Sequence, residues 1–301
     1  MQLMIMEFFQ RISTPVLDRL VELMTMLGEE TVFILAVAYF LWCASKKRGF
    51  AIFSTLFTSL IGMSVLKALV KAPRPFQVLD TIEGKRVATA TGYSFPSGHT
   101  TGAASFYSAL AAAYRKQWLS ILCALAILLV GISRMYLGVH WPIDVFAGLA
   151  LGITVTVVLF GWFDRLYDRK EALWRFSVMT GAVSALIAIL IAILIASHVA
   201  DSVAFMDPLK LFALAGGGYL GFAWEERKIS YVTDGTVPIK ILRYVLGVVV
   251  LLGIQGLKAV LGDHLAVTVL RYLLVGLWAT ALYPYLGSRI KIGSHRLFER
   301  T

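Results

Sequence analysis

The sequence contains no asparagine and only two cysteines, Cys43 and Cys123. An N-glycosylation sequon cannot occur, and a disulfide-built secreted module is excluded. Charge is also scarce. Asp, Glu, Lys and Arg make up 15% of the 301 residues, against about 25% in ordinary soluble domains. Hydrophobic residues make up 58%, and the mean hydropathy is +0.77. Such a composition excludes a soluble enzyme and a disordered chain and fits a polytopic membrane protein.

Basic residues outnumber acidic ones, 28 to 18, for a net charge of +10. A basic excess often marks a nucleic-acid or acidic partner. Here most bases flank apolar runs, where they read as topology signals, and no nucleic-acid partner is expected. The first apolar stretch carries Glu7 and lacks a basic leader with a small-residue cleavage site, so no cleavable signal peptide is expected.

A helix needs about 20 mostly apolar residues to cross the hydrocarbon core. Nine candidate spans run at roughly 30–45, 50–70, 99–115, 117–133, 143–163, 174–200, 209–224, 241–259 and 266–288. The expected fold class is therefore all-α, a polytopic transmembrane bundle of about nine spans. Before them, residues 4–26 space apolar side chains at helical period with Arg11, Asp18, Arg19 and Glu22 between. That pattern predicts an interfacial amphipathic helix, broken or restarted at Pro15. Placing the N-terminus outside puts about 17 of the 28 bases inside, among them Lys46, Lys47, Arg48 and the tail residues Arg289, Lys291, Arg296 and Arg300.

Three segments resist a topological explanation. They are Lys67 to Pro75 (KALVKAPRP), Pro96 to His99 (PSGH), and Ser133 to Asp144 (SRMYLGVHWPID). In the nine-span topology all three face the outer side. Pro142 suits the first turn of a helix. Asp144, four residues after His140, could then orient that imidazole as nucleophile or base. The bland alternative is an interfacial histidine and an acid that stabilises the helix dipole. Ser97 and Gly98 stand where a helix would begin, a place that attracts anions, although Ser97 also suits a plain N-cap. Lys67, Arg74 and Arg134 sit at the ends of apolar spans beside the two histidines. Ionisable groups at membrane depth are costly, and that favours a functional role. Two histidines, a carboxylate and three cations together suit phosphoryl transfer. The remaining histidines, His198, His264 and His295, are scattered, so no metal-ligand cluster is visible.

In order and spacing these segments resemble the signature of the type 2 phosphatidic acid phosphatase superfamily, the integral-membrane lipid phosphate phosphatases. The resemblance covers roughly residues 15–200 and departs at no signature position. It implies a six-helix phosphatase core and a metal-independent hydrolase that requires no cofactor. It further implies that His140 attacks phosphorus, that Asp144 orients His140, and that His99 protonates the leaving oxygen and then activates water. Lys67, Arg74, Ser97, Gly98 and Arg134 would hold the phosphoryl oxygens. The substrate would be a lipid phosphate or pyrophosphate in the bilayer. The expected domains are an interfacial helix over 1–28, the phosphatase core over 29–200, and a C-terminal transmembrane extension over 201–301.

Alternatives stay open. A phosphotransferase would use the same intermediate with a lipid or sugar acceptor. A lipid transporter with a degenerate site would draw on the extension, with Gly216 to Gly218 and the buried-looking Lys258 and Arg271. The related vanadium haloperoxidases share the pattern but are soluble. The terminal helices could shape a lipid entrance or a homodimer interface. Lys71, Lys85 and Arg86 could widen an anionic funnel or only solvate their loop. Glu225 to Asp234 reads as a solvated charged loop. Compact loops without sequons point to a bacterial inner membrane with a periplasmic site.

Overall fold

The computed structural model describes residues 1–87, 90–262 and 264–289. Lys291, His295, Arg296 and Arg300 lie outside them. Among the described residues every regular element is helical. In chain order these are α1 (Gln2–Arg11), α2 (Pro15–Met26), α3 (Glu30–Ala44), α4 (Lys46–Val70), the single turn α5 (Pro75–Val78), α6 (Gly98–Tyr114) and α7 (Gln117–Tyr136). Then follow α8 (Pro142–Tyr167), α9 (Lys170–Ala196), α10 (Ser202–Trp224), α11 (Val237–Leu261), α12 (Leu265–Leu277) and α13 (Tyr283–Arg289).

Each of the nine sequence candidates coincides with a helix. Six are long and apolar enough to cross a membrane: α4 with α5, α7, α8, α9, α11, and α12 through α13. The other three fall short for legible reasons. α3 is a shorter apolar helix. α6 has 17 residues and is built mainly from Gly, Ala, Ser and Thr. α10 carries Asp207, Pro208 and Lys210 in its first half. Pro15 does restart the N-terminal segment: α1 ends at Arg11, and Thr14 caps α2 by accepting a hydrogen bond from Leu17 N at 3.3 Å.

The chain forms two compact units. The first comprises residues 1–34, 51–163 and 202–207. Within it α6 is the central rod. Its small side chains Thr100 to Ser105 are buried, so neighbouring helices can approach closely. Gly152 of α8 faces Ala104, and Ser59 of α4 donates to Ser105 Oγ at 2.9 Å. Thr156 of α8 donates to the Ser105 carbonyl at 3.3 Å. At one end, Val21, Tyr136, Leu137 and Val139 form a core against which Phe9, Leu17 and Phe76 pack. The N-terminal helices α1 and α2 thus lie on α7.

The second unit comprises residues 35–50, 164–201 and 208–301. Its glycines serve packing: Gly216 of α10 rests on Ala185 of α9 at 3.1 Å. Trp42 is fully buried, donates to the Ala279 carbonyl at 2.7 Å and meets the Tyr283 ring at 4.5 Å. On α9 the side chains of Met179, Val183 and Leu186 stay exposed, as lipid-facing residues do. Of the two cations singled out by sequence, Lys258 is exposed, whereas Arg271 is buried and donates to Gln255 at 2.8 Å.

The expectation of a solvated loop at 225–234 needs correction at its start. Glu225–Ile229 is helical, and Glu225 and Glu226 are drawn into ion pairs, whereas Arg227, Lys228 and Asp234 are exposed as expected. Glu225 is buried, accepts two bonds from Lys46 at 3.0 and 3.1 Å, and receives the Tyr231 amide at 2.6 Å. Glu226 binds Lys170 at 2.6 Å and the Tyr167 hydroxyl at 3.1 Å. Arg227 pairs with Glu171 at 2.9 Å and lies 3.6 Å over the Trp174 ring. Burial of Glu225 and Glu226 forces these two carboxylates to pair, since an isolated buried ion is costly, whereas the Arg227–Glu171 pair is exposed. Replacing Glu225 by alanine removes the nearer partner of Lys46, which keeps Glu226 at 3.3 Å, and leaves the Tyr231 amide without its acceptor, so the expected loss is about 1–3 kcal/mol of stability. Thermal unfolding in detergent measures it, with Glu225→Gln as the milder control.

Candidate active site

The three signature segments meet in the first unit. Three different local devices bring them there. Arg74 lies just before α5, at the end of the apolar run that carries Lys67 on α4. Ser97 caps α6, its hydroxyl accepting from the Thr100 amide at 3.5 Å and from the Thr100 hydroxyl at 2.9 Å, so the N-cap role read from sequence is present. Gly98 and His99 are then the first residues of that helix. Pro142 opens α8 as expected and places Asp144 in its first turn. Gly138 has φ +70 and packs against the Glu83 carbonyl, a crowded left-handed position that glycine alone adopts without strain.

Arg74 is buried and is the hub. Its Nε donates to the Gly92 carbonyl at 3.1 Å, and Nη2 donates to the Thr91 and Tyr93 carbonyls at 2.6 and 3.3 Å. Its Nη1 donates to the Val139 carbonyl at 2.8 Å and lies 3.1 Å from His140 Nε2. Lys67 shares two of these acceptors, Tyr93 O at 2.8 Å and Thr91 O at 3.5 Å. Asp144 Oδ2 accepts from the Ser94 hydroxyl and from the Trp141 amide at 2.9 Å, and it lies 3.4 Å from His140 Nδ1. The Ser97 amide donates to the Asp144 carbonyl at 3.0 Å, which ties the second segment to the third.

A guanidinium can only donate, so His140 Nε2 facing Arg74 must carry the lone pair. The ring proton then sits on Nδ1, toward Asp144 and Ser94. Burial holds the His140 pKa well below the usual 6.5, and the positive charges of Arg74, Arg134 and Lys67 push it the same way. His140 is thus a neutral imidazole with an oriented lone pair.

Arg134 is fully buried. Its Nη1 donates to Thr25 of α2 at 2.8 Å, while Nε and Nη2 have no partner among the described residues. His99 Nε2 is likewise buried without one. Buried polar atoms are normally satisfied, so these unpartnered atoms are candidate contacts for a bound anion. No group of three or more His, Cys, Asp or Glu side chains able to hold a metal occurs among the described residues.

Several supporting residues had no sequence signal. Ser94 and the carbonyls of Thr91, Gly92 and Tyr93 follow no pattern, and Thr25 sits in an ordinary amphipathic stretch. Lys85 and Arg86 adopt neither role considered above. Lys85 binds the Asp18 carboxylate at 2.6 Å and also Ser13, and Arg86 binds Glu29. Burial alone would raise the Asp18 pKa, yet bonds from Lys85, Tyr136 and Ser13 hold it below its usual value. These pairs fasten Lys85 to the start of α2 and Arg86 to the turn between α2 and α3.

An all-helical membrane chain whose histidines, carboxylate and cations converge in this way has the make-up of a membrane phosphatase. The sequence matches the PAP2 superfamily over residues 47–168 and the transmembrane extension of the PAP2 superfamily phosphatases over 209–296. It is 32% identical to an undecaprenyl-diphosphatase of Sulfolobus acidocaldarius over 152 residues, 48% of this chain and 68% of that one. It is 34% identical to phosphatidylglycerophosphatase B of Bacillus subtilis over 85 residues, 25% of this chain and 42% of that one. A solved PAP2-type phosphatidylglycerolphosphate phosphatase of Bacillus subtilis shares 27% identity, with a TM-score of 0.45 over 54% of this chain and 84% of that one. The chain belongs to the PAP2 superfamily. It is an integral membrane lipid phosphate or pyrophosphate phosphatase.

Proposed function

We propose that the chain removes phosphate from a lipid monophosphate or diphosphate through a phosphohistidine on His140, without a metal, at the outer membrane face. The observation that carries this reading is the His140 ring, which is neutral, buried, and held with Nε2 toward Arg74 and Nδ1 toward Asp144. In the first step the Nε2 lone pair attacks the terminal phosphorus. The bond from that phosphorus to the leaving oxygen, the lipid's own in a monophosphate or the inner phosphate's in a diphosphate, breaks as His99 gives that oxygen a proton. Asp144 stabilises the positive ring. In the second step water attacks phosphorus and His99 takes its proton. The P–N bond breaks, and inorganic phosphate leaves. Lys67, Arg74, Arg134 and the start of α6 at Ser97 and Gly98 hold the three phosphoryl oxygens, where preorganised donors stabilise developing charge.

The undecaprenyl-diphosphatase relative makes an isoprenyl diphosphate the first substrate to test. The placement of all three segments on one side of the expected topology supports an outer-face site, and the Bacillus relative supports a bacterial plasma membrane. The test is phosphate release by purified protein from undecaprenyl diphosphate, phosphatidylglycerophosphate and phosphatidate, with EDTA present. Undiminished release supports the reading, and release that requires added divalent metal contradicts it.

The pH dependence follows from His140. Protonating Nε2 removes the attacking lone pair, and a lowered pKa keeps the neutral form in milder acid. The acid limb of kcat/KM is therefore expected below pH 6.5. It should be read on a substrate of known phosphate pKa. An acid limb centred above 6.5 would mean that burial does not govern this histidine.

A further inference from the structure

We propose that Asp207, which lies outside all three signature segments, is a positioning residue for the phosphate-binding cations. This rests on the reading of Lys67 and Arg74 as phosphate ligands. Arg74 hangs from the carbonyls of Thr91, Gly92 and Tyr93, and Lys67 shares those of Thr91 and Tyr93. The position of this strap therefore sets the position of both cations. Asp207, in the second turn of α10, grips the strap from the other side. Thr91 Oγ1 donates to its carboxylate, at 3.0 Å to Oδ2 and 3.3 Å to Oδ1.

The contact extends to the next residue. Gly92 has φ +67. A β-carbon there would stand 3.3 Å from the Val203 carbonyl, 3.6 Å from Asp207 Oδ2 and 3.9 Å from Lys67 Nζ. The start of α10 and Lys67 therefore converge on one residue of the strap. Ser202 to Asp207 group with the first compact unit, whereas the rest of α10 does not.

A carboxylate beside an anion site repels the substrate, so its presence there calls for a compensating role. Holding the strap supplies one. Positioning and charge predict opposite signs. If Asp207 positions the strap, Asp207→Ala raises both KM and the inhibition constant for inorganic phosphate, by about three- to tenfold. The fall in kcat is smaller. Asp207→Asn, which keeps an acceptor for Thr91, stays within about twofold of the parent. Thr91→Val reproduces the alanine effect, and the double variant is no worse than either single one, because both cut one connection.

The experiment is steady-state kinetics and phosphate inhibition on full-length Asp207→Ala, Asp207→Asn, Thr91→Val and the double variant, with thermal unfolding alongside. Tighter phosphate binding in both Asp207 variants would show a purely electrostatic role and overturn the proposal. So would a lowered unfolding temperature with unchanged KM and inhibition constant. If Asp207→Ala does not fold, Thr91→Val carries the same test with the carboxylate left in place. A His140→Ala control separates the two levels: residual full activity there refutes the site itself, whatever Asp207 does.

Discussion

His140→Ala is expected to lower phosphate release by about 10⁴-fold or more, the scale on which loss of a covalent nucleophile acts. The protein should still fold, because each neighbour of the ring keeps other partners. Arg74 retains the carbonyls of Thr91, Gly92 and Val139. Asp144 retains the Ser94 hydroxyl and the Trp141 amide. The measurement is single-turnover phosphate release at matched thermal stability. A variant that retains even a hundredth of the parent rate would require a different nucleophile.

Arg74→Lys is expected to cost about 10²–10³-fold in kcat/KM, comparable with the loss of a transition-state hydrogen-bond donor. The charge is conserved, so the loss reports geometry. A guanidinium can reach four backbone carbonyls and His140 from one plane, whereas an ammonium is a compact point donor. Arg74 also faces His140 Nε2, so lysine loosens the ring proposed to attack. The check is kcat/KM on a lipid substrate together with the unfolding temperature. A change of less than about threefold in kcat/KM would show that Arg74 acts as a bulk charge only. Arg74→Ala is less informative, since it also takes the donor from the Gly92 carbonyl and from the buried Val139 carbonyl, the latter at about 1–3 kcal/mol.

The helices were legible because apolar runs in a membrane chain must satisfy their backbone internally. Their ends were less so. α10 begins at Ser202, earlier than the run at 209 suggested, because Asp207, Pro208 and Lys210 look like a break while the helix continues through them. The convergence of the candidate site residues was legible for a different reason: spacing such as His140 to Asp144 is local, and one helical turn brings the pair together. The supports were not, because their partners are remote in sequence. Thr25 meets Arg134, Asp18 meets Lys85, and Thr91 meets Asp207. No periodicity encodes such pairs. The same holds at Glu225, where the charge run looked solvated because Lys46 is 179 positions away.

The most direct test of the central claim is to look for the covalent intermediate. His99→Ala lacks the group proposed to activate water, so the second step should stall. This variant should be mixed with ³²P-labelled p-nitrophenyl phosphate, whose leaving group needs no protonation, then quenched in alkali and mapped by peptide. The account predicts acid-labile, alkali-stable label on the peptide that contains His140, absent from the His99→Ala/His140→Ala double variant. Label on another residue, or nitrophenol release at the same rate in the double variant, would contradict it.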